Sequence, residues 1–474
     1  MNRIDEIRKT AKEPFKKIIE ECEESTVRCI SHNDADGICS AGIIAKALVR
    51  EGVPFLMSCI RQLTEDFIKS LKNEQYKYFL FTDLGSGQLN FIEKYLLDKS
   101  KVIVIDHHVP FENENENLDH LNAHLFSIDG AREISGSGMS YAFVTALGKN
   151  RDLSGVAIVG ALGDLQDMSG SLHGVNREIL EEAKKEGIIK VERDIRLFGR
   201  YTRPLYKSLQ YTINPYIPGI SSNINGVSEL LKELEIPHSV NGKARRIVDL
   251  SSDEKQRLAS ALIQRLLRAG ASPEIAESIV GENYTFVNEP EDSELKDAKE
   301  YATLLNSCGK HKRADIGIAI IVGDRGALEE ARNLVEEHKN TIVEGLKWLY
   351  ENPLKIKRSD VLQWFNVERD VDDSIIGTVA MMGMGANILD RSIPVVAIAK
   401  MDENMYKVSA RGTREMVDRN VDLAEAVRVA AKKVGGEGGG HDVAAGAVIP
   451  AGKEEEFIKF VETIIRRQLG EGKS

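Results

Sequence analysis

Between residues 26 and 170, short apolar runs of strand type alternate with segments whose apolar positions recur at helical spacing. That alternation predicts an α/β fold, a doubly wound parallel sheet with crossover helices. The predicted strands are 26–31, 77–83 and 101–106, and the predicted helices are 37–51, 63–72, 138–148 and 154–164. Each strand runs into polar or acidic residues, and open α/β sheets bind ligands in the loops beyond the carboxyl ends of their strands. Residues 175–200 read as charged and helical. The stretch from Arg203 to Asn223 then carries three prolines and little periodicity, which predicts a boundary.

Amphipathic helices are predicted at 224–235, 252–269 and 273–280, with Ser252 capping the second, and together they form a helical insertion. A helix near 293–306, the apolar run 316–323 and a charged helix at 326–350 lead to a second, smaller α/β unit. That unit ends in a helix at 453–469. The division this predicts is 1–205, an insertion at 206–290, connecting helices at 291–345, and 346–474.

A length of 474 residues fits about three domains and leaves ample chain for several cores. The formal charge of −11 argues against wholesale attraction to a polyanion, so any nucleic-acid site must be locally basic. Cys22, Cys29, Cys39, Cys59 and Cys308 are scattered and include no CxxC pair, which argues against a structural zinc site and for free thiols in a reducing compartment. The first residues lack an apolar signal segment, and no run approaches eighteen apolar residues. A cytoplasmic protein with no membrane partner is expected.

Four motifs carry candidate chemistry: His32-Asn33-Asp34-Ala35-Asp36-Gly37, Thr82-Asp83-Leu84-Gly85, Asp106-His107-His108 and Gly163-Asp164-Leu165. Three of them follow predicted strands directly, so Asp34, Asp36, Asp83 and His107 can meet over one sheet edge. Taken singly, each is an ordinary cap or turn. Together, crowded carboxylates repel unless a dication relieves them. Carboxylates with imidazoles and no thiolate suit Mn²⁺ or Mg²⁺, and a bridging carboxylate would hold two ions about 3.5–4 Å apart, the spacing used for displacement at phosphorus.

HNDADG, FTDLG, DHH and GALGD, in that order, resemble the core motifs of the DHH phosphoesterase superfamily. Gly438-Gly439-Gly440-His441, followed by Ala444-Ala445-Gly446, resembles the signature of its associated DHHA1 domain. Within the superfamily the chain resembles the archaeal RecJ-like exonucleases, the GINS-associated nucleases, which also carry a helical insertion between two domains. The resemblance implies that 1–205 is a catalytic DHH domain and 346–474 a substrate-binding DHHA1 domain. It implies that Asp34 and Asp36 bind separate metal ions, that Asp83 bridges them, and that His107 and Asp164 complete one coordination sphere. His32 would be a ligand or neighbour of the other ion, at a position where bacterial RecJ proteins commonly carry an acidic residue. Asp106 would lie behind the ligands and orient an imidazole, while His108 would contact phosphate or position water.

The implied activity is two-metal hydrolysis of single-stranded nucleic acid, 5′→3′ on DNA, with RNA left open as a further substrate, releasing nucleoside monophosphates in replication and repair. GINS of the replisome is the implied protein partner. Gly438, Gly439, Gly440 and His441 would approach phosphate, the glycines through backbone N–H groups, and Arg411 would grip it. The strand would lie in a cleft between the two domains. Arg193, Arg196, Arg200, Arg203 and Lys207, interleaved with Phe198, Tyr201, Tyr206, Tyr211 and Tyr216, supply either a stacking path for single strands or residues packed beneath a linker. Lys310 to Arg313 and Lys355 to Arg358 read as solvated faces. Two other readings stay open: a small-nucleotide phosphodiesterase, oligoribonuclease or pyrophosphatase of the same superfamily, and a replisome scaffold that binds GINS.

Overall fold

Five strands, β1 (Val27–His32), β2 (Phe55–Ile60), β3 (Tyr78–Thr82), β4 (Lys101–Asp106) and β5 (Leu118–Asn122), form an all-parallel sheet in the order β2-β1-β3-β4-β5. Helices α1 (Arg3–Glu21), α2 (Ala35–Arg50), α3 (Glu65–Leu71), α4 (Leu89–Leu96), α5 (Gly136–Val144), α6 (Ser154–Gly163) and α7 (Gly174–Lys185) connect and cover it. The computed structural model describes residues 2–22, 25–111, 118–212, 215–221, 223–386 and 388–470.

The sheet is buried on both sides, and successive residues of its central strands serve opposite faces. Cys29, Leu80, Ile103 and Ile105 join α1, α2, α5, α6 and α7 in one core. Ile30, Phe79, Phe81, Val102 and Val104 join α3 and α4 in another. The predicted strands at 26–31, 77–83 and 101–106 are therefore β1, β3 and β4. The sequence pattern passes over β2 and β5, which are the sheet edges: β2 is mostly half-exposed, and β5 (LDHLN) is too polar to read as a buried strand.

Residues 175–200 are helical only as far as Lys185. Beyond a turn, β6 (Ile189–Ile195) is an antiparallel strand whose exposed charges hide its period of two. After it come α8 (Leu205–Gln210), α9 (Ile224–Glu233), the short hairpin β7 (Ser239–Val240) and β8 (Lys243–Ala244), α10 (Ser252–Arg268) and α11 (Pro273–Glu277). The chain returns along β9 (Val280–Phe286), paired with β6 from Ile189↔Phe286 to Ile195↔Val280. The insertion thus stands on a two-stranded neck, with its own apolar core around Leu205, Leu209, Val227, Leu230, Leu258 and Leu262. The cap of α10 is Ser251, one residue before the predicted Ser252. Its hydroxyl accepts from Glu254 N, and the Glu254 carboxylate accepts from Ser251 N at 2.8 Å, a reciprocal capping box. The predicted helix at 273–280 stops at Glu277, because Val280 already belongs to the neck.

Helices α12 (Ala298–Lys310) and α13 (Ala314–Val322) return to the α2 side of the sheet, and α13 is the apolar run at 316–323. Helix α14 (Ala327–Glu351) runs through the boundary between two contact units, Met1–Val335 and Glu336–Ser474.

The second unit is built on β10 (Lys357–Arg358), β11 (Gln363–Asn366), β12 (Val395–Lys400), β13 (Met405–Arg411), β14 (Glu437–His441) and β15 (Ala444–Pro450). Their order is β10-β11-β12-β13-β15-β14, with only β11 and β12 parallel. The C-terminal part of α14 packs here too, with α15 (Ile376–Gly385), α16 (Arg414–Asp418), α17 (Leu423–Lys433) and α18 (Glu454–Gln468). Phe365, Val395 and Ala397 pack with α15, whereas Val396, Ile398 and Val408 face α17 and α18. No helix among the described residues is long and apolar enough to cross a membrane.

Candidate metal centre

In the order β2-β1-β3-β4-β5 the chain leaves β1 for one side and returns to β3 on the other, so the switch point lies between β1 and β3. His32 ends β1, Asp34 caps α2 by accepting from Gly37 N at 2.9 Å, and Asp36 lies in the first turn of that helix. Asp83 follows β3 in a left-handed backbone conformation, φ 57°. Asp106 ends β4, His107 and His108 follow it, and Asp164 is the C-cap of α6.

These residues converge. One set of mutually close donor atoms comes from His32, Asp34 and Asp83, and a second from Asp36, His107 and Asp164. His32 Nδ1 is 2.9 Å from Asp34 and 3.7 Å from Asp83. His107 Nε2 is 3.2 Å from Asp83, 3.6 Å from Asp164 and 3.8 Å from Asp36, so Asp83 faces both imidazoles. A third set joins Asp83, Asp106, His107 and His108. Asp106 binds His108 rather than His107: its carboxylate faces His108 Nδ1 at 2.8 Å and accepts from His107 N at 2.8 Å and Ser86 N at 3.0 Å. The ring of His107 is instead fixed by Gly130, whose carbonyl is 2.7 Å from Nδ1.

The surroundings are built to hold this crowd. Asp36 accepts from Gly136 N at 2.6 Å and Ser137 N at 3.0 Å, so the positive end of α5 is aimed at a buried carboxylate. A methyl on Gly136 would lie 2.5 Å from Asp83 Oδ1, so only glycine fits there. The α2 loop is held by α12: Ala35 N donates to Asn306 at 2.8 Å, and the Asn33 side chain donates to Gly309 O at 3.2 Å. Beyond Asp164, Asp167 is clamped by Arg196 at 2.5 Å and Lys299 at 2.8 Å, which ties this loop to the base of the neck.

The electrostatics record the crowding. Burial, then repulsion from Asp83 and Asp164, pushes the Asp36 carboxyl well above the usual carboxylate range. Burial and the charges of Asp83 and Asp34, opposed by His107, hold Asp164 at about 6. Burial disfavours charge on His32, yet Asp34 and Asp83 outweigh it and lift the imidazole to about 11. Protonation is how such a cluster relieves itself without a cation.

The donor set fits divalent ions. Asp83 Oδ1 and His107 Nε2 are buried and face each other at 3.2 Å without a well-formed hydrogen bond, an expensive arrangement unless something else takes their lone pairs. With Nδ1 facing Gly130, Nε2 of the neutral ring is the free lone pair. Oxygen and nitrogen donors predominate, and the nearby thiols of Cys39 and Cys59 are held protonated by burial, Cys59 at about 12. That chemistry suits Mn²⁺ or Mg²⁺.

In the second unit, register places Arg411 opposite Ala444, and Ala444 opposite His441, so both residues sit at one end of β13-β15-β14. The glycine-rich segment is an edge strand rather than a loop. Gly440 has φ 139°, and a Cβ there would lie 2.5 Å from Ala444 O, which reserves the position for glycine. Burial lowers the pKa of Arg411, which donates to Ala410 O at 2.8 Å, and His441 is exposed. The basic, aromatic run of the insertion divides. Arg196 is committed to the buried carboxylate of Asp167 and Arg200 to the partly buried one of Asp194, and Tyr206 packs against the insertion core. Arg193 and Tyr211 are exposed.

A DHH family N-terminal domain model matches residues 26–162, a DHH-CID domain model 197–280 and a DHHA1 domain model 361–467. An uncharacterized protein of Methanocaldococcus jannaschii is 33% identical over 475 residues, covering 99% of each chain. The chain belongs to the DHH family. Among solved structures, this DHH protein resembles RecJ in complex with Mn²⁺ from Thermus thermophilus at 16% identity and a TM-score of 0.58, covering 97% of this chain and 55% of that one. It resembles CDC45 from Entamoeba histolytica at 11% identity and a TM-score of 0.65, covering 97% and 99%. At these identities the likeness is one of fold. Membership of the family supports a metal-dependent phosphoesterase.

Sequence reasoning missed the Ser135-Gly136-Ser137 turn, Gly130, Gln166 and Asn306, all of which touch or hold the cluster. The small residues of SGSGMS are the one available signal, because only such a run lets a helix start press against carboxylates.

Proposed function

We propose that this chain is a divalent-metal-dependent exonuclease that degrades single-stranded DNA in the 5′→3′ direction, accepts RNA as a second substrate, and releases nucleoside monophosphates. The observation that carries the proposal is the pair of carboxylate and imidazole sets that share the neighbourhood of Asp83 at the switch point. His32, Asp34 and Asp83 would hold one ion; Asp36, His107 and Asp164, with Asp83 between, would hold the other. Ions held there supply charge neutralisation at phosphorus and a water of lowered pKa.

The chain's own groups do the rest. Gly130 keeps the His107 proton on Nδ1. Asp106 holds the Nδ1 proton of His108 and raises the pKa of its exposed ring, which in the imidazolium form donates from Nε2 to a phosphate oxygen. The Gly438–Gly440 edge with His441 and Arg411 would grip a further phosphate of the strand. Residues 1–205 are read as the catalytic domain, 206–290 as the insertion, 291–345 as connecting helices and 346–474 as the substrate-binding domain. GINS of the replisome as the protein partner belongs to this proposal through the resemblance of the DHH and DHHA1 motifs to the GINS-associated nucleases, and the cytoplasm as the site of action through the scattered free thiols.

The test is a time course on 5′-labelled and 3′-labelled single strands of DNA and RNA with Mn²⁺, Mg²⁺ or EDTA, comparing wild type with Asp83→Ala. Early mononucleotide release from 5′-labelled DNA is expected, abolished by EDTA and by the substitution. Cleavage only of dinucleotides or pyrophosphate would replace the exonuclease with a small-substrate enzyme. No cleavage of any substrate, with GINS bound, would leave the scaffold role.

A further inference from the structure

Helix α6 ends in a turn of unusual composition. Leu165 N donates to Leu162 O and Gln166 N to Ala161 O, the two bonds of a Schellman motif, with Leu165 at φ 58° where glycine is the common choice. The turn leaves Asp164 partly exposed among the candidate ligands and sends Gln166 into the interior, where it is 5% exposed.

There its amide has one workable orientation. Gln166 Nε2 donates to Gly130 O at 2.9 Å and Ile134 O at 3.2 Å, and lies 3.5 Å from Asp164 Oδ2. Its Oε1 accepts from Asn176 Nδ2 at 2.5 Å. A flipped amide would set oxygen against three oxygens and NH₂ against NH₂. The Gly130 carbonyl therefore receives two donors, Gln166 Nε2 and His107 Nδ1, which together use both of its lone pairs. One amide thus braces the group that fixes the His107 tautomer and also touches Asp164, two of the three residues in the Asp36, His107, Asp164 set.

We infer that Gln166, oriented by Asn176, is a positioning residue for a divalent ion in that set. The inference rests on the metal reading of the site, and nothing in it requires Gln166 to touch ion or substrate. Partners of this kind typically tune metal affinity by about 10–100-fold.

The experiment is a Mn²⁺ titration of the substrate-free, EDTA-stripped full chain followed by electron paramagnetic resonance, for wild type, Asp164→Ala and Gln166→Met. Urea unfolding in EDTA and activity against Mn²⁺ concentration accompany it. Gln166→Met keeps side-chain length and removes the amide. The expected result is one Mn²⁺ site weakened about 10–100-fold and the other unchanged. The Mn²⁺ concentration for half-maximal activity should rise in step, with kcat at saturating Mn²⁺ within about threefold of wild type. If Gln166→Met fails to fold, Asn176→Ala retains Gln166 and removes the donor that orients it, and should weaken the same site about 3–10-fold. Wild-type Mn²⁺ affinities in the folded variant, with stability in EDTA lowered or not, would reduce Gln166 to a structural residue and overturn the inference. Failure of wild type to bind Mn²⁺, or equal binding by Asp164→Ala, would instead overturn the metal reading beneath it.

Discussion

Replacing Asp164 with Asn should make the metal-free protein more stable and the metal-loaded protein less so. Burial and the neighbouring carboxylates hold the Asp164 carboxyl at about 6 against an ordinary 3.8. A carboxyl raised on folding binds its proton more tightly in the native state than in the unfolded chain. Its ionisation therefore costs stability progressively as pH rises from 3.8 through 6, and the full cost is present above that. The rise corresponds to about 3 kcal/mol, and a side chain 32% exposed retains roughly half of this after solvent screening, or about 1.5 kcal/mol. Urea unfolding in EDTA should then show Asp164→Asn about 1.5 kcal/mol more stable at about pH 8 and level with wild type at about pH 4. Mn²⁺ should invert the order. An ion at about a hundred times its dissociation constant adds about 2.7 kcal/mol to wild type, and the variant, having lost a ligand, should gain less. If Asp164→Asn is no more stable than wild type at the higher pH in EDTA, the crowding argument is wrong. If Mn²⁺ stabilises both chains equally, Asp164 does not hold the ion.

Two further substitutions probe the framework. Glu300 is buried, and burial with the charge of Asp297 pushes its carboxyl up to about 7, so stability should fall as pH rises from about 4.5 to 7. Glu300→Gln can keep the bonds to Tyr201 N and Thr202 and should remove up to about 3 kcal/mol of that fall; urea midpoints at about pH 5 and about pH 8 that move in parallel for both chains would refute it. Gly136→Ala places a methyl 2.5 Å from Asp83 Oδ1 and should cost about 1–3 kcal/mol of stability together with at least about tenfold in Mn²⁺ affinity, read by unfolding and Mn²⁺ titration.

What could be read in the chain, and what could not, divides along physical lines. β1, β3 and β4 are buried on both faces, so their sequences are mainly apolar and end in polar residues, with the one early interruption, Arg28 of β1, paired to Glu74. β2 and β5 lie at the edges, and the charged β6 takes its strand character from pairing with β9 across an entire insertion, a partner no local window contains. The same holds at the site. Asp34, Asp36, Asp83, His107 and Asp164 stand out because four acidic or histidine-bearing motifs occur together, in order, at the ends of elements within one domain. Gly136, Gly130 and Gln166 do not, because their contribution is a backbone N–H, a carbonyl and an amide delivered by long-range approach, as between Asp36 and Gly136. The glycines at 438–440 carry no side-chain period, so only their pairing with β15 makes them a strand.

The two-stranded neck has a consequence for how such a chain can evolve. Because Ile195 and Val280 are ladder partners, the host fold experiences residues 196–279 as the loop of a hairpin whose ends are already together. The entropy of closing a loop grows only logarithmically with its length, and a segment with its own core meets that cost by its own folding. The insertion can therefore be lengthened, rewritten or exchanged with little effect on the carboxylates. Among the described residues, the clamp of Arg196 on Asp167, three residues beyond Asp164, and the bonds of Tyr201 and Thr202 to Glu300 tie the insertion back to the host. The insertion and the carboxylate site can therefore drift apart under selection, held in step by those contacts.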